Sequence, residues 1–397
     1  MARKLSRNVL ALGGVSFFTD VATEMIYPLL PLFLSTVLGA NASFIGAIEG
    51  AAESTAALLK LASGWWSDRI RKRKPLVLIG YGIATVARPF TAIAQTATQV
   101  LAIRLTDRVG KGIRTSPRDA LLADSTDAES RGRAFGFHAS MDNAGAVVGP
   151  LIAFALLHQF HLSLRNVFWL SAIPGVLAFI VLLVAVREVG RVEGAAGDAS
   201  SKPHLSLTEK LGKRFWVYLG VVFLFTLGNS TDAFLLLRAN QLGVAVALAP
   251  ILWAFLNLFK ALLGTWGGSL SDKYGRKPLI IAGWSIYAAV YLGFAMANRQ
   301  WHAWALFASY AVFYALTEGT EKALVADLVP KERRGAAFGW FNLAVGLGAL
   351  PASLIFGAIW DRAGAHNAFI FGASLAAVAA IGMLLVAPGR GARPVPV

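Results

Sequence analysis

Ala120-Leu121-Leu122-Ala123-Asp124, followed by Glu129, Arg131-Gly132 and Ala134-Phe135-Gly136, returns 203 residues later. The second copy reads Ala323-Leu324-Val325-Ala326-Asp327, Glu332, Arg334-Gly335 and Ala337-Phe338-Gly339. A further pair, Gly64-Trp65-Trp66-Ser67-Asp68-Arg69 against Gly268-Ser269-Leu270-Ser271-Asp272-Lys273, is offset by 204. Two matches at nearly one offset mean that one structural unit is used twice. Between the copies runs the longest polar segment, 188–213, with Gly-Ala-Ala-Gly-Asp-Ala-Ser-Ser-Lys-Pro at 194–203. That composition suits a flexible tether. The reading divides the chain into a first bundle over 1–187, a linker over 188–213 and a second bundle over 214–397.

Composition says what the repeated unit is made of. Of 397 residues, 56% are apolar and 15% charged, where soluble domains run at about 45–50% and about 25%. Cysteine is absent. A disordered chain, a disulfide-stapled secreted domain and a water-soluble enzyme are therefore disfavoured. A helix that crosses a bilayer needs about 20 mostly apolar residues. Twelve such stretches are expected, near 9–37, 43–67, 75–97, 99–121, 133–158, 166–187, 215–238, 246–271, 278–298, 302–326, 336–360 and 366–388. The fold class is an all-α membrane protein of two six-helix bundles. Arg3, Lys4 and Arg7 lead directly into the first stretch, without the pattern of a cleavable leader.

The formal charge of +15 resolves into a label of sidedness. Of the 37 Lys and Arg, 26 fall in the tails and alternate loops on one side, four on the other and seven within or at the ends of the spans. Basic loops stay on the cytoplasmic face, so both termini are expected there, in a multi-pass protein of the cytoplasmic membrane. A nucleic-acid partner loses its support, because the basic residues lie in separated loops with no accompanying binding motif.

Gly268-Ser-Leu-Ser-Asp272-Lys273-Tyr-Gly275-Arg276-Lys277-Pro278 resembles the G-x-L-x-D-R-x-G-R-K-P loop of the major facilitator superfamily. The counterpart loop of the first half departs from it, with Arg71 in place of Gly and one basic residue inserted before Pro75. Arg108-Val-Gly-Lys-Gly112 resembles the R-x-x-x-G motif of the fourth helix. Gly145-x-x-x-Gly149-Pro150 resembles the helix-packing motif of exporters, although Ala153 and Phe154 replace its closing glycines. The resemblance covers the whole chain. It implies two pseudo-symmetric bundles that alternate in access, a bacterial-type proton-coupled exporter and a monomer. In repeat-built transporters the substrate site lies near the bilayer midplane at the repeat interface. Asp68, Arg69, Asp272, Lys273 and Arg276 are the expected conformational latch of the outward-open state, since an acid closing an apolar helix beside basic groups forms contacts in one packing and loses them in another. The competing reading is that these charges set topology alone.

Charges inside spans are costly and mark a pathway or a pair. Asp20 and Glu24 lie four apart on one helix face, followed by Tyr27 and Pro28. Glu49, Glu53 and Lys60 share a face of the second span. Arg104, Asp107, Arg108 and Lys111 follow at three- and four-residue spacing in the fourth, and His138 and Asp142 at four in the fifth. The second half is thinner, with Asp232, Lys260, Glu318, Glu321 and Lys322, and Asn257 in the place of Glu53. Two neighbouring carboxylates in low dielectric resist joint ionisation, which suits proton coupling at Asp20, Glu24 and Glu53. Arg108 is their electrostatic partner if it faces the first span, as the resemblance implies. Tyr27, Arg104, Arg108, Asp142 and Asp232 are the candidate substrate contacts. A static neutral cluster of Asp20, Glu24 and Arg108, and a structural His138–Asp142 pair, stay open beside these roles. Glu321 and Lys322, which reverse the signs of Arg118 and Asp119, suggest a salt-bridge network between the halves.

No nucleophile–base set, metal-ligand spacing or phosphate loop accompanies these residues. No enzyme activity, cofactor or metal is expected, and no loop is long enough for a receptor domain. The expected function is export of a small organic compound against protons. The runner-up is a proton symporter importing an organic anion, held by Arg88, Arg104 or Arg108. The expected partners are the substrate, protons and the bilayer.

Overall fold

The computed structural model describes residues 5–70, 73–126, 131–188, 211–329 and 334–386, without the side chains of 64, 65, 67–70, 131–133, 264–269, 272 and 334–336. Most of the expected linker lies outside the described residues. Those described are helical almost throughout and contain no strand.

Among the described residues, eight segments are long and apolar enough to cross a membrane by length and composition, including Arg7–Thr36, Lys74–Ile93, Leu164–Ala185 and Lys213–Gln241. The last, Ala337–Leu385, has the length of two crossings and turns at Gly364, whose φ of +86° interrupts the helix. Spans 2 (Ala42–Ile70), 4 (Ala97–Asp124) and 10 (Gln300–Leu328) are equally long but carry internal charges, which take them out of a purely apolar count. Spans 5 (Arg131–His158), 8 (Ala249–Tyr274) and 9 (Arg276–Met296) complete the twelve.

Several spans expected as single rods are broken. Span 1 stops at Ile26 and resumes at Leu30, since Pro28 lacks the N–H that would continue the ladder. Span 7 stops at Gly228 and resumes at Ala233, after Asn229-Ser230-Thr231-Asp232. Short polar side chains of this kind compete with the helix for backbone hydrogen bonds, and Thr231 here accepts from the backbone N–H of Ala233. The two breaks occupy equivalent places in the two copies. Span 3 tightens into a 3-10 turn over Arg88–Ile93, around Pro89.

By packing, the chain forms two units. One holds Met1–Ala40, Ala51–Ser200 and Ala245–Ala254; the other holds Asn41–Gly50, Ser201–Val244 and Phe255–Val397. Spans 2 and 8 thus each contribute their opening turns to the unit of the other half.

The first unit is cored by aliphatic side chains, among them Val9, Leu12, Val15, Val77, Leu121, Leu122 and Leu182. At its linker-side end, Asn8 donates to Ser125 and to the Arg187 carbonyl, and Glu188 accepts from the backbone N–H of Arg73 and Lys74. The second unit is cored by rings. Phe225 stacks on Trp284 at 4.4 Å and Tyr287 on Tyr291 at 4.2 Å, with Phe313, Phe356 and Phe369 packed around them. Each such pair adds about 0.5–1.5 kcal/mol beyond its burial.

Candidate functional site

The seam between spans 1 and 5 places the first candidates. A Cβ on Gly145 would sit 2.6 Å from the Phe17 carbonyl oxygen and 2.9 Å from Asp20 Cβ. One on Gly149 would sit 2.7 Å from the Val21 oxygen and 3.0 Å from Glu24 Cβ. Only glycine admits the helices this closely, so the Gly145-x-x-x-Gly149-Pro150 motif packs directly beneath the two acids. One turn before Asp20, Ser16 donates to Asp142 Oδ1, and His138 Nδ1 lies 3.5 Å from Asp142 Oδ2. His138, Asp142, Ser16, Asp20 and Glu24 therefore follow one seam. Beyond it, the Trp253 indole N–H donates to Glu24 Oε2 at 2.7 Å, and its ring lies 4.9 Å from that of Tyr27. Arg104 stands over the same Tyr27 ring, 5.9 Å from its centre.

A second cluster fills the space between spans 2, 3 and 4. Arg88 Nε donates to Asp107 Oδ1 at 2.8 Å and its Nη1 to the Thr19 carbonyl at 3.4 Å. Arg104 and Arg108 approach Asp107 Oδ2 at 3.8 and 4.0 Å. Arg88, Arg104, Asp107 and Arg108 are all buried. Three guanidinium groups converge on one carboxylate, and Glu53 supplies the next, 3.3 Å from Arg108. Charges out of water persist only when paired, which explains why these acids and bases recur at helical spacing. Arg108, expected to face span 1, pairs with Glu53 of span 2 as well as with Asp107 of its own span, and Glu53, for which sequence spacing pointed to Lys60, pairs with Arg108. Thr23, Ile26, Arg88, Thr91, Ile103, Arg104 and Asp107 line a small cleft over this cluster.

The second unit answers these positions with rings. At the repeat offset, Arg88, Arg104, Asp107 and Lys111 become Tyr291, Phe307, Tyr310 and Tyr314, and Arg114 becomes Thr317. The register is structural: Gly80 packs against Arg114, and its equivalent Gly283 against Thr317. Asp232, at the break in span 7, accepts from Tyr310 at 2.7 Å and from Tyr314 at 3.0 Å. Lys260 Nζ lies 3.7 Å from the centre of the Tyr314 ring. Tyr287 donates to the Gly228 carbonyl, one of the groups that the break leaves without a helical partner. Glu321, expected in a network between the halves, accepts instead from Trp284 of its own unit at 2.8 Å.

Of the latch residues, the side chains of Asp68, Arg69 and Asp272 lie outside the described residues. Lys273 lies 5.3 Å from the Tyr274 ring. Arg276 donates to Ser271 and stands 3.5 Å from Asp327. Its equivalent Arg73 pairs with Asp124, so both copies of the quoted repeat end on an aspartate bound to the loop after the preceding even-numbered span.

Sequence reasoning passed over Trp253, Tyr310 and Tyr314. The tyrosines had a signal, a spacing of four on span 10 opposite a span acid. Trp253 had none.

The family model described as Major Facilitator Superfamily matches residues 12–353 and again 217–396. An MFS-type transporter of Methanocaldococcus jannaschii is 32% identical over 391 residues, covering 97% of this chain and 96% of the relative. The quinolone resistance protein NorA of Staphylococcus aureus is 23% identical, covering 90% and 91%. Among solved structures, the nucleoside transporter NupG superposes with a TM-score of 0.79 at 14% identity, covering 95% of this chain and 98% of that one. That last likeness speaks to the fold alone.

Proposed function

The chain belongs to the Major Facilitator Superfamily, and we propose that within this family of multi-pass membrane carriers it exports a small organic compound in exchange for protons. The observation that carries this reading is the pair Asp20 and Glu24, one turn apart over the glycines of span 5. Two carboxylates so placed offer a proton, or a cationic or amphipathic compound, a counter-charge. Proton and substrate then compete for one acidic seam as access alternates. Arg88, Arg104 and Arg108 spend their charge on Asp107 and Glu53, which favours export of such a compound over import of an organic anion. The quinolone resistance protein among the relatives supports the same direction. In this reading Asp142 and Asp232 are further polar contacts for the substrate, Asp68, Arg69, Asp272, Lys273 and Arg276 form the latch, and both termini face the cytoplasm.

The test is transport by the purified chain in liposomes. A proton gradient is expected to drive uptake of an organic cation such as ethidium into inverted vesicles. Asp20→Asn and Glu24→Gln should each reduce it at least tenfold, with proton movement falling in step. Proton flux that is equal in wild type and both variants would end the coupling assignment.

A further inference from the structure

We infer that Trp253 is a positioning residue through which Glu24 holds, and on losing its charge releases, the opening turns of span 8. The inference rests on the reading of Glu24 as an acid that exchanges a proton or a cationic compound for its free charge.

Residues 245–254, Ala-Val-Ala-Leu-Ala-Pro-Ile-Leu-Trp-Ala, belong to the first unit. The same helix continues from Phe255 in the second. In that apolar stretch the indole N–H of Trp253 is the one side-chain hydrogen-bond donor, and it is spent on Glu24 Oε2 at 2.7 Å. The indole is 6% exposed and leans on Tyr27, which stands at the break of span 1. A hydrogen bond to an ionised carboxylate is roughly twice as strong as one between neutral groups. Protonation of Glu24, or neutralisation by a bound cation, therefore weakens the polar tie of this stretch. Packing on Tyr27 remains and gives the indole a seat to return to.

Charges near this group include Asp20 on the same helix and Arg104 beyond Tyr27, while Asp142 of span 5 and Lys111 and Arg114 of span 4 act on Asp20. Arg88 of span 3 binds the Thr19 carbonyl one turn away. Residues 245–254 bring no charge of their own. The one side-chain hydrogen-bond donor that this stretch offers the acid is thus the indole N–H.

The sequence holds no cysteine, so a single Ala247→Cys reports the exposure of this stretch by maleimide labelling of the full chain in liposomes. Ala247→Cys alone should label faster at low pH or with an organic cation present. Trp253→Phe keeps the ring on Tyr27 and deletes the donor; it should raise the labelling rate several-fold and remove the response to pH. Glu24→Gln should raise it too, and the double variant no further than Trp253→Phe alone. Additive effects, an unchanged rate in Trp253→Phe, or a surviving pH response in that variant would each overturn the assignment. Val246→Cys repeats the measurement should Ala247→Cys fail to fold. If Glu24→Gln leaves transport intact while the labelling stays non-additive, the coupling reading falls and the tie stands. If transport is lost while the labelling is additive, the coupling reading stands and the tie falls.

Discussion

The two units share a blueprint and differ in what fills it. Where spans 3 and 4 carry Arg88, Arg104, Asp107 and Lys111, spans 9 and 10 carry Tyr291, Phe307, Tyr310 and Tyr314. The first arrangement is held by charge, with Arg88 and Asp107 at 2.8 Å; the second by hydroxyls on Asp232 and by stacked rings. Charge responds to a proton or an ionic compound, whereas a stack of rings does not. Equivalent positions are thus filled differently in the two units, mainly by ion pairs in one and mainly by rings and hydroxyls in the other.

The comparison breaks most sharply at Asp107. Replacing it with Asn takes from Arg88, Arg104 and Arg108 the carboxylate on which they converge, and should cost about 3–5 kcal/mol, the range for a buried pair that loses a partner. Thermal melting in detergent measures it, and an unchanged midpoint would mean that charge does not hold this cluster. Gly149→Ala comes next. Its methyl group meets the Val21 oxygen and Glu24 Cβ, an overpacking worth about 1–3 kcal/mol. It should lower the melting midpoint and impair transport together, because the seam that yields carries Glu24, the acid proposed to exchange protons. In the second unit, Tyr310→Phe removes one hydroxyl from Asp232 but keeps the ring stack. The expected loss is about 1–2 kcal/mol, at the low end for a bond to a charged group because Tyr314 remains. A larger loss than that of Asp107→Asn would reverse the contrast between the units.

The twelve crossings follow from hydropathy and length, and the duplication from two sequence matches, because both are properties of the chain taken in order. Span charges at helical spacing were visible for the same reason. Partners were not. Helical periodicity fixes which residues share a face, yet does not say which helix that face meets, so Arg108 turned up on Glu53. The break in span 7 falls at Asn229-Ser230-Thr231-Asp232, short polar types that compete with the helix for backbone hydrogen bonds, yet the apolar run on either side reads as one span over 215–238. Trp253 could not have been found, since an aromatic residue in an apolar helix looks like any lipid-facing or core ring until its donor is seen on Glu24.

Gly364 joins two crossings by a single non-helical residue, and three residues before it Asp361 accepts from the backbone N–H of Ala42 and Ser43 at 2.9 and 2.8 Å. A corner that short has no slack. Spans 11 and 12 must travel as one hairpin, and the start of span 2 rides with them for as long as that carboxylate grips it. One residue makes this corner. Which parts of the carrier are obliged to move together is thus written into a corner with no length to spare.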